Sequence, residues 1–188
     1  EDCNILRVTA DCPLIDPTII DKMYEIFNEK KYDYMSNTMK PTFPDGFDVE
    51  FFTKRTLTYA YNNVNSNFDK EHVTPFIKRS KEITKLDFFY KKDLSAFRVT
   101  IDEEQDFRNI KKICNFFYPN IHFNLEDILQ NFSKIKNYML SKRNKRNEGS
   151  SLNKGQKLWK RAKKVIPGGN MLFSKRPEMY LPNGWPAY

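Results

Sequence analysis

Two short stretches of the chain echo one another. Residues 7–11 read Arg-Val-Thr-Ala-Asp and residues 98–102 read Arg-Val-Thr-Ile-Asp. In each, a short apolar strand ends on an aspartate and a helix follows within a few residues. Ligands of open α/β sheets bind outside the carboxyl ends of the strands. If the two strands are parallel neighbours, Asp11 and Asp102 meet in one crevice. Two carboxylates at such an edge suit Mg²⁺, a hard ion taken up by one or two carboxylates together with substrate phosphates. Each aspartate also has a purely structural reading: Asp102 as a helix N-cap, Asp11 as a turn residue ahead of Pro13.

A second constellation is Pro44-Asp45-Gly46-Phe47-Asp48-Val49-Glu50. Gly46 allows a turn or a close backbone approach. Asp48 and Glu50 alternate with Phe47, Val49 and Phe51, so both carboxylates project from one side of a half-buried strand. Taken alone, that side reads as a solvent-exposed face. A third is Glu71-His72-Val73-Thr74-Pro75-Phe76, where a Glu–His neighbour pair is either a surface pair or a cap, or a grip for a polyol.

The elements that must position these residues follow from periodicity. Strands are expected over Ile5–Thr9, Tyr32–Asn37, Phe47–Phe52, Leu86–Tyr90 and Phe97–Ile101, which are short and rich in apolar residues. Asp16 caps a helix with Pro17 at its first position. Ile19, Ile20, Met23, Ile26 and Phe27 give that helix one apolar face as far as about Lys30. Further helices are expected over Thr53–Asn63, over Lys70–Arg79, from Asp102 through Phe117, and over Leu125–Leu140. Strands alternating with helices predict an α/β sheet with helices on its faces.

Composition narrows the function classes. Of 188 residues, 39% are hydrophobic and 30% charged, as in a globular domain. No apolar run nears the ~18 residues of a membrane span. The first residues, Glu1-Asp2-Cys3-Asn4, form neither a start nor a signal peptide, and the chain is expected to open in mid-domain. Cys3, Cys12 and Cys114 form no C-x-x-C pair, which points to a reducing, cytoplasmic setting, with Cys114 on an apolar helix face in the core. Two His and no ligand cluster argue against zinc. Charge is uneven: residues 133–165 hold twelve Lys or Arg against Glu148 alone, a net +11, while the whole chain carries +8. The remainder is therefore mildly acidic, at 8 − 11 = −3. The basic run could contact nucleic acid, but residues 141–155 contain no aromatic for base stacking. They read as a linker, and no specific nucleic-acid partner is expected.

Residues 6–132 resemble the spore-coat polysaccharide biosynthesis cytidylyltransferases, relatives of the enzymes that make CMP-activated sialic and 3-deoxy-octulosonic acids. Five blocks, in order, carry the resemblance: Arg7–Pro17, Asp33-Tyr34-Met35-Ser36-Asn37, Pro44–Glu50, Glu71–Ile77 and Val99-Thr100-Ile101-Asp102. The family's last block usually reads Val-Asp-Thr-Pro-Glu-Asp. Here it is Ile101-Asp102-Glu103-Glu104-Gln105-Asp106, with its first and last Asp kept. The resemblance implies a nucleotide-diphospho-sugar-transferase-like three-layer α/β sandwich. It implies Mg²⁺ on Asp11 and Asp102, and attack of a sugar oxygen on the α-phosphate of CTP. Substrate contacts would fall to Ser36, Asn37, Asp45, Gly46, Asp48, Glu50, Glu71 and His72. The family's basic, Gly-containing phosphate loop, which precedes the Asp-Cys-Pro block, has no counterpart here. The chain is thus expected to carry the C-terminal part of such a domain and to be inactive alone.

Leu158–Gly169 resembles the opening of a glutamate-1-semialdehyde aminomutase-like class III aminotransferase. The pyridoxal-phosphate (PLP) lysine of that family would lie downstream of this chain. The expected organisation is a cytidylyltransferase-like part over 1–140, a basic linker over 141–155 and an aminotransferase-like stub over 156–188. The expected partners are CTP and a sugar or sugar acid; a homodimer is left open. The rival readings are a PLP-dependent aminotransferase of which this is the N-terminal part, and a basic nucleic-acid-binding module.

Overall fold

A computed structural model describes residues 3–29 and 31–140, and the predicted linker and stub lie outside them. The described chain divides into one compact unit made of residues up to Ala60 and from Ile77 onward, and a second that includes Tyr61–Phe76.

The first unit is built on a four-stranded mixed sheet of order β1-β3-β2-β4, a mixed α/β fold. Its strands are β1 (Asn4–Arg7), β2 (Tyr34–Ser36), β3 (Glu50–Thr53) and β4 (Lys85–Asp87). β3 lies antiparallel to both β1 and β2, and β4 is parallel to β2. Interior position explains why the alternation over Phe47–Phe52 does not expose one side. Phe47, Val49, Phe51 and Phe52 are all buried, and so is Glu50. The expected solvent-facing carboxylate pair is corrected on this point for Glu50.

Helix α1 (Pro17–Glu29) begins as its sequence dictates. The Asp16 carboxylate accepts the Thr18 N–H and hydroxyl through one oxygen, and the Leu125 N–H through the other at 3.0 Å. One buried aspartate thus caps α1 and anchors the start of α6 (Leu125–Gln130). Ile19, Met23 and Phe27 bury the inner face of α1 against the sheet, with the Phe27 ring 5.7 Å from Phe51. Each such side chain contributes about 1.5–3 kcal/mol by leaving water. Helices α5 (Glu104–Phe117), α6 and α7 (Phe132–Met139) complete the core with Ile110, Ile113, Leu125, Ile128, Ile135 and Met139.

Four local expectations need correction. The predicted helix over Leu125–Leu140 is broken at Asn131, which closes α6 and opens α7. Cys114 is exposed on α5 rather than part of the core. Phe97–Ile101 is not a sheet strand; Arg98 bridges Asp45 in parallel and Phe97 bridges Leu140. Asp102 does not cap α5, because Glu103 stands at the N-cap position and Asp106 receives the Asp102 and Glu103 N–H groups.

Helix α2 (Lys54–Asn63) directly follows β3. The predicted helix over Lys70–Arg79 forms instead as α3 (Asn67–His72) and α4 (Pro75–Arg79). Pro75 cannot continue a preceding turn, and it drives the residue before it from helical geometry. Val73, at φ 64°, makes a tight turn in which the Thr74 N–H donates to the His72 carbonyl at 2.7 Å. Positive φ is costly for a β-branched residue.

Candidate functional site

The sheet collects charge at one edge. β1, β2 and β4 all run the same way, and their last residues are Arg7, Ser36 and Asp87. Glu50 opens the opposed strand β3 and pairs in register with both Arg7 and Ser36. One polar row therefore crosses the sheet where three strands end, the position at which α/β sheets place ligands.

Glu50 is the buried centre of that row. Its carboxylate accepts the Tyr34 hydroxyl at 2.5 Å, pairs with Lys78 Nζ at 2.9 Å, and takes an ion pair from Arg7 Nη1. Burial opposes its ionisation. The Lys78 charge, the Tyr34 and Lys78 hydrogen bonds and the Arg7 charge outweigh it, so its pKa falls below the usual carboxylate value. Burial first, then the Glu50 charge, keeps the Tyr34 phenol protonated. Lys78 also donates to Thr38 Oγ1 at 3.0 Å, and Thr38 Oγ1 lies 2.8 Å from Ser36 Oγ. Asn37 is fully buried: its amide donates to the Phe47 carbonyl and accepts the Val49 N–H. It thus holds the Asp45–Glu50 segment alongside the backbone bond from the Asn37 N–H to the Val49 carbonyl at 3.3 Å.

A second knot has the opposite sign. Arg98 is buried and pairs with Asp45 at 2.7 Å through Nη1, with Asp102 through Nη2, and with Asp106 at 3.7 Å. The Asp45 N–H donates to Phe97, and its carbonyl accepts from Val99 at 2.7 Å. Gly46, at φ +110°, lets this approach happen, since a Cβ there would lie 2.8 Å from the Val99 backbone. The Arg98 Nε has no hydrogen-bond partner, and Arg98 lines a small cleft with Thr100, Asn109 and Tyr138.

The segments that carry Asp11 and Asp102 meet through their backbones and not as neighbouring strands. β1 ends at Arg7 and pairs with β3, so the two echo segments are not neighbouring strands. Residues 9–12 turn instead, with Cys12 N–H donating to Thr9, and the Ile101 N–H donates to the Asp11 carbonyl at 2.9 Å. The Asp102 side chain is half exposed. Cys12 lies buried beside Asp11; burial, aided by the Asp11 and Asp48 charges, pushes its thiol up to about 12. Glu71 and His72 belong to the second unit, where the His72 ring lies tilted against Phe68 with centroids 4.6 Å apart.

Arg7, Tyr34, Lys78 and Arg98 were missed as site residues. The echo held the signal for two of them. Its two arginines clamp the two ends of the Asp45–Glu50 block, Arg98 on Asp45 and Arg7 on Glu50.

A mixed α/β sheet with a charged row at its strand ends has the architecture in which α/β domains place ligands. The chain belongs to the cytidylyltransferase family, whose sequence profile matches residues 1–151. It is similar to a solved cytidylyltransferase from Leptospira borgpetersenii, with TM-score 0.70 and 26% identity, over 74% of this chain and 60% of that one. It is also 31% identical over 107 residues to an uncharacterized protein of Methanocaldococcus jannaschii, covering 55% of this chain and 43% of the relative. The chain thus spans well under two thirds of either relative's length.

Proposed function

We propose that this chain forms part of an enzyme that transfers CMP from CTP to a sugar or sugar acid, with release of pyrophosphate, for surface polysaccharide synthesis of the spore-coat type. The reading rests on membership of the cytidylyltransferase family. The observation that supports particular residues is the backbone hydrogen bond from the Ile101 N–H, one residue before Asp102, to the Asp11 carbonyl.

Mg²⁺ fits this pair. Asp11 and Asp102 would offer hard oxygen donors. That composition suits an ion completed by phosphate oxygens and water. When bound, Mg²⁺ would neutralise charge on the triphosphate and the departing pyrophosphate. The protein's own work is positioning. Arg98 orients Asp102 and fixes Asp45, while Asn37 and Gly46 hold the loop from Asp45 to Glu50. The acceptor sugar would lie at the ends of the strands, near Asp48 and the row formed by Ser36 and Glu50. Residues 141–155 act as a linker, and 156–188 begin an aminotransferase-like domain in the same cytoplasmic pathway.

The test is CTP-dependent pyrophosphate release over a panel of sugars and sugar acids, on this chain and on the domain extended to its relatives' length. Mn²⁺ binding by electron paramagnetic resonance is read in parallel. Asp11→Ala and Asp102→Ala should each abolish turnover and weaken Mn²⁺ by about tenfold or more. Unchanged Mn²⁺ binding in both variants would remove the metal assignment. Inertness of the extended domain with every nucleotide and sugar would remove the transferase reading.

A further inference from the structure

We propose that Arg98 is an internal competitor for Asp102: its guanidinium holds the Asp102 carboxylate while no divalent cation is bound, and passes to Asp106 when Asp102 turns to one. The proposal rests on the reading of Asp102 as a metal ligand. It gives Arg98 and Asp106 a part that the pair of aspartates does not itself require.

The three carboxylates around Arg98 are held unequally. Asp45 is fixed. Its side chain is 11% exposed and meets Arg98 Nη1 at 2.7 Å, and its backbone is bonded to Phe97 and Val99. Asp106 is fixed as well. Its side chain is 19% exposed, and its Oδ2 accepts the Asp102 N–H at 3.1 Å and the Glu103 N–H at 3.0 Å. Asp102 is held by much less. Its side chain is 52% exposed and is met by Arg98 Nη2 and, at 3.5 Å, by the Thr100 hydroxyl. A hydrogen bond of that length is weak. Asp102 is therefore the carboxylate free to turn outward.

Arg98 is arranged to give that carboxylate up. Nη1 stays on Asp45, so the buried cation keeps a buried counter-charge after Asp102 leaves. This matters because an uncompensated buried charge is costly. Nη2 already lies 3.7 Å from Asp106 Oδ2, within ion-pair reach but beyond a good hydrogen bond. A small turn of the guanidinium closes the gap. Nε has no hydrogen-bond partner to oppose that turn, and a cleft lined by Thr100, Asn109 and Tyr138 adjoins Arg98. Asp106 is thus the standby partner, and Arg98 is a positioning residue that keeps Asp102 in its cation-free orientation. The consequence is a cation affinity below what the two aspartates alone would give. Phosphate oxygens brought with a substrate then decide whether the ion stays.

The experiment is Mn²⁺ titration of the chain read by electron paramagnetic resonance, with Mg²⁺ titration read by NMR of the Arg98 guanidinium. Arg98→Met should bind Mn²⁺ about three- to tenfold more tightly than the parent, because the internal competitor is gone. Asp106→Asn should bind it about two- to fivefold less tightly, because Arg98 then has no second partner. In the Arg98→Met background Asp106→Asn should add nothing, since Asp106 acts through Arg98. Mg²⁺ should shift the Arg98 guanidinium resonances in the parent and not in Asp102→Asn. Circular dichroism checks that each variant is folded. If Arg98→Met does not fold, Asp106→Asn and the Mg²⁺-dependent shift decide alone. Weaker or unchanged Mn²⁺ binding in Arg98→Met overturns the proposal, because Arg98 would then orient Asp102 for the ion or serve the fold only. So do unmoved Arg98 resonances while Mn²⁺ binds through Asp102. An equal effect of Asp106→Asn with and without Arg98 overturns it too, because only the charge of Asp106 would matter. If Asp102→Asn leaves Mn²⁺ binding intact, the metal reading itself fails and the competition falls with it.

Discussion

The Glu50 and Arg98 knots are mirror images in charge. Around Glu50, two half-exposed cations and a phenol enclose one buried carboxylate. Around Arg98, the carboxylates of Asp45, Asp102 and Asp106 surround one buried guanidinium. In the Glu50 knot the buried charge is the minority sign, whereas in the Arg98 knot Asp45 is buried with the guanidinium and Asp102 is the exposed partner. A charge cannot be buried alone at tolerable cost, so each buried centre recruits a shell of opposite sign and leaves a local field of that sign. The Arg98 side carries an excess of carboxylates, and the Glu50 side an excess of cations. The same Asp45–Glu50 segment links the two, with Asn37 holding its middle.

The comparison can be broken most sharply at Arg98. Arg98→Met keeps the bulk but removes the cation from buried Asp45 and from Asp102 and Asp106. Breaking a buried pair by removing one partner costs about 3–5 kcal/mol. Urea unfolding should show a loss of that size. A loss below about 1 kcal/mol would mean that Asp45 does not depend on this pair.

Glu50→Gln should cost less, about 1–3 kcal/mol, because the stranded cations can reach water. It should also change the acid limb of the stability profile. The folded pKa of Glu50 lies below its ordinary 4.5. Its contribution is therefore complete above the unfolded pKa and is lost as pH falls through the folded one. The parent should lose stability below about pH 4.5 more steeply than Glu50→Gln does. Parallel profiles over that range would show that Glu50 is no better stabilised as an anion in the fold than in the unfolded chain.

The smallest effect is expected where both partners face water. Glu104 and Arg108 pair one turn apart on α5, with 78% and 61% of their side chains exposed. Arg108→Ala should change stability by no more than about 0.5 kcal/mol at moderate salt. A shift near that of Glu50→Gln would erase the distinction between buried and exposed pairs on which the reading of both knots depends.

Local chemistry made much of this legible in advance. Asp16 followed by Pro17 marks the start of α1, and the spacing of Ile19, Met23 and Phe27 gives its buried face, because capping and helical period act over a few residues. The helix ending at Asn63 and the Gly46 turn were likewise visible as residue types in order. Tertiary structure alone decided the rest. Phe97–Ile101 has the composition of a strand, yet it bridges Asp45 and Leu140 instead of joining the sheet. Glu50 alternates like a surface residue, yet it is buried because β3 lies between β1 and β2. Arg98 meets Asp45 across 53 residues, and Arg7 meets Glu50 across 43. Propensity and periodicity are short-range, whereas charge burial is set by which distant segments share an interior. The sequence by itself therefore determined which elements form and which residues could do chemistry, and the packing of the sheet decided which of them meet.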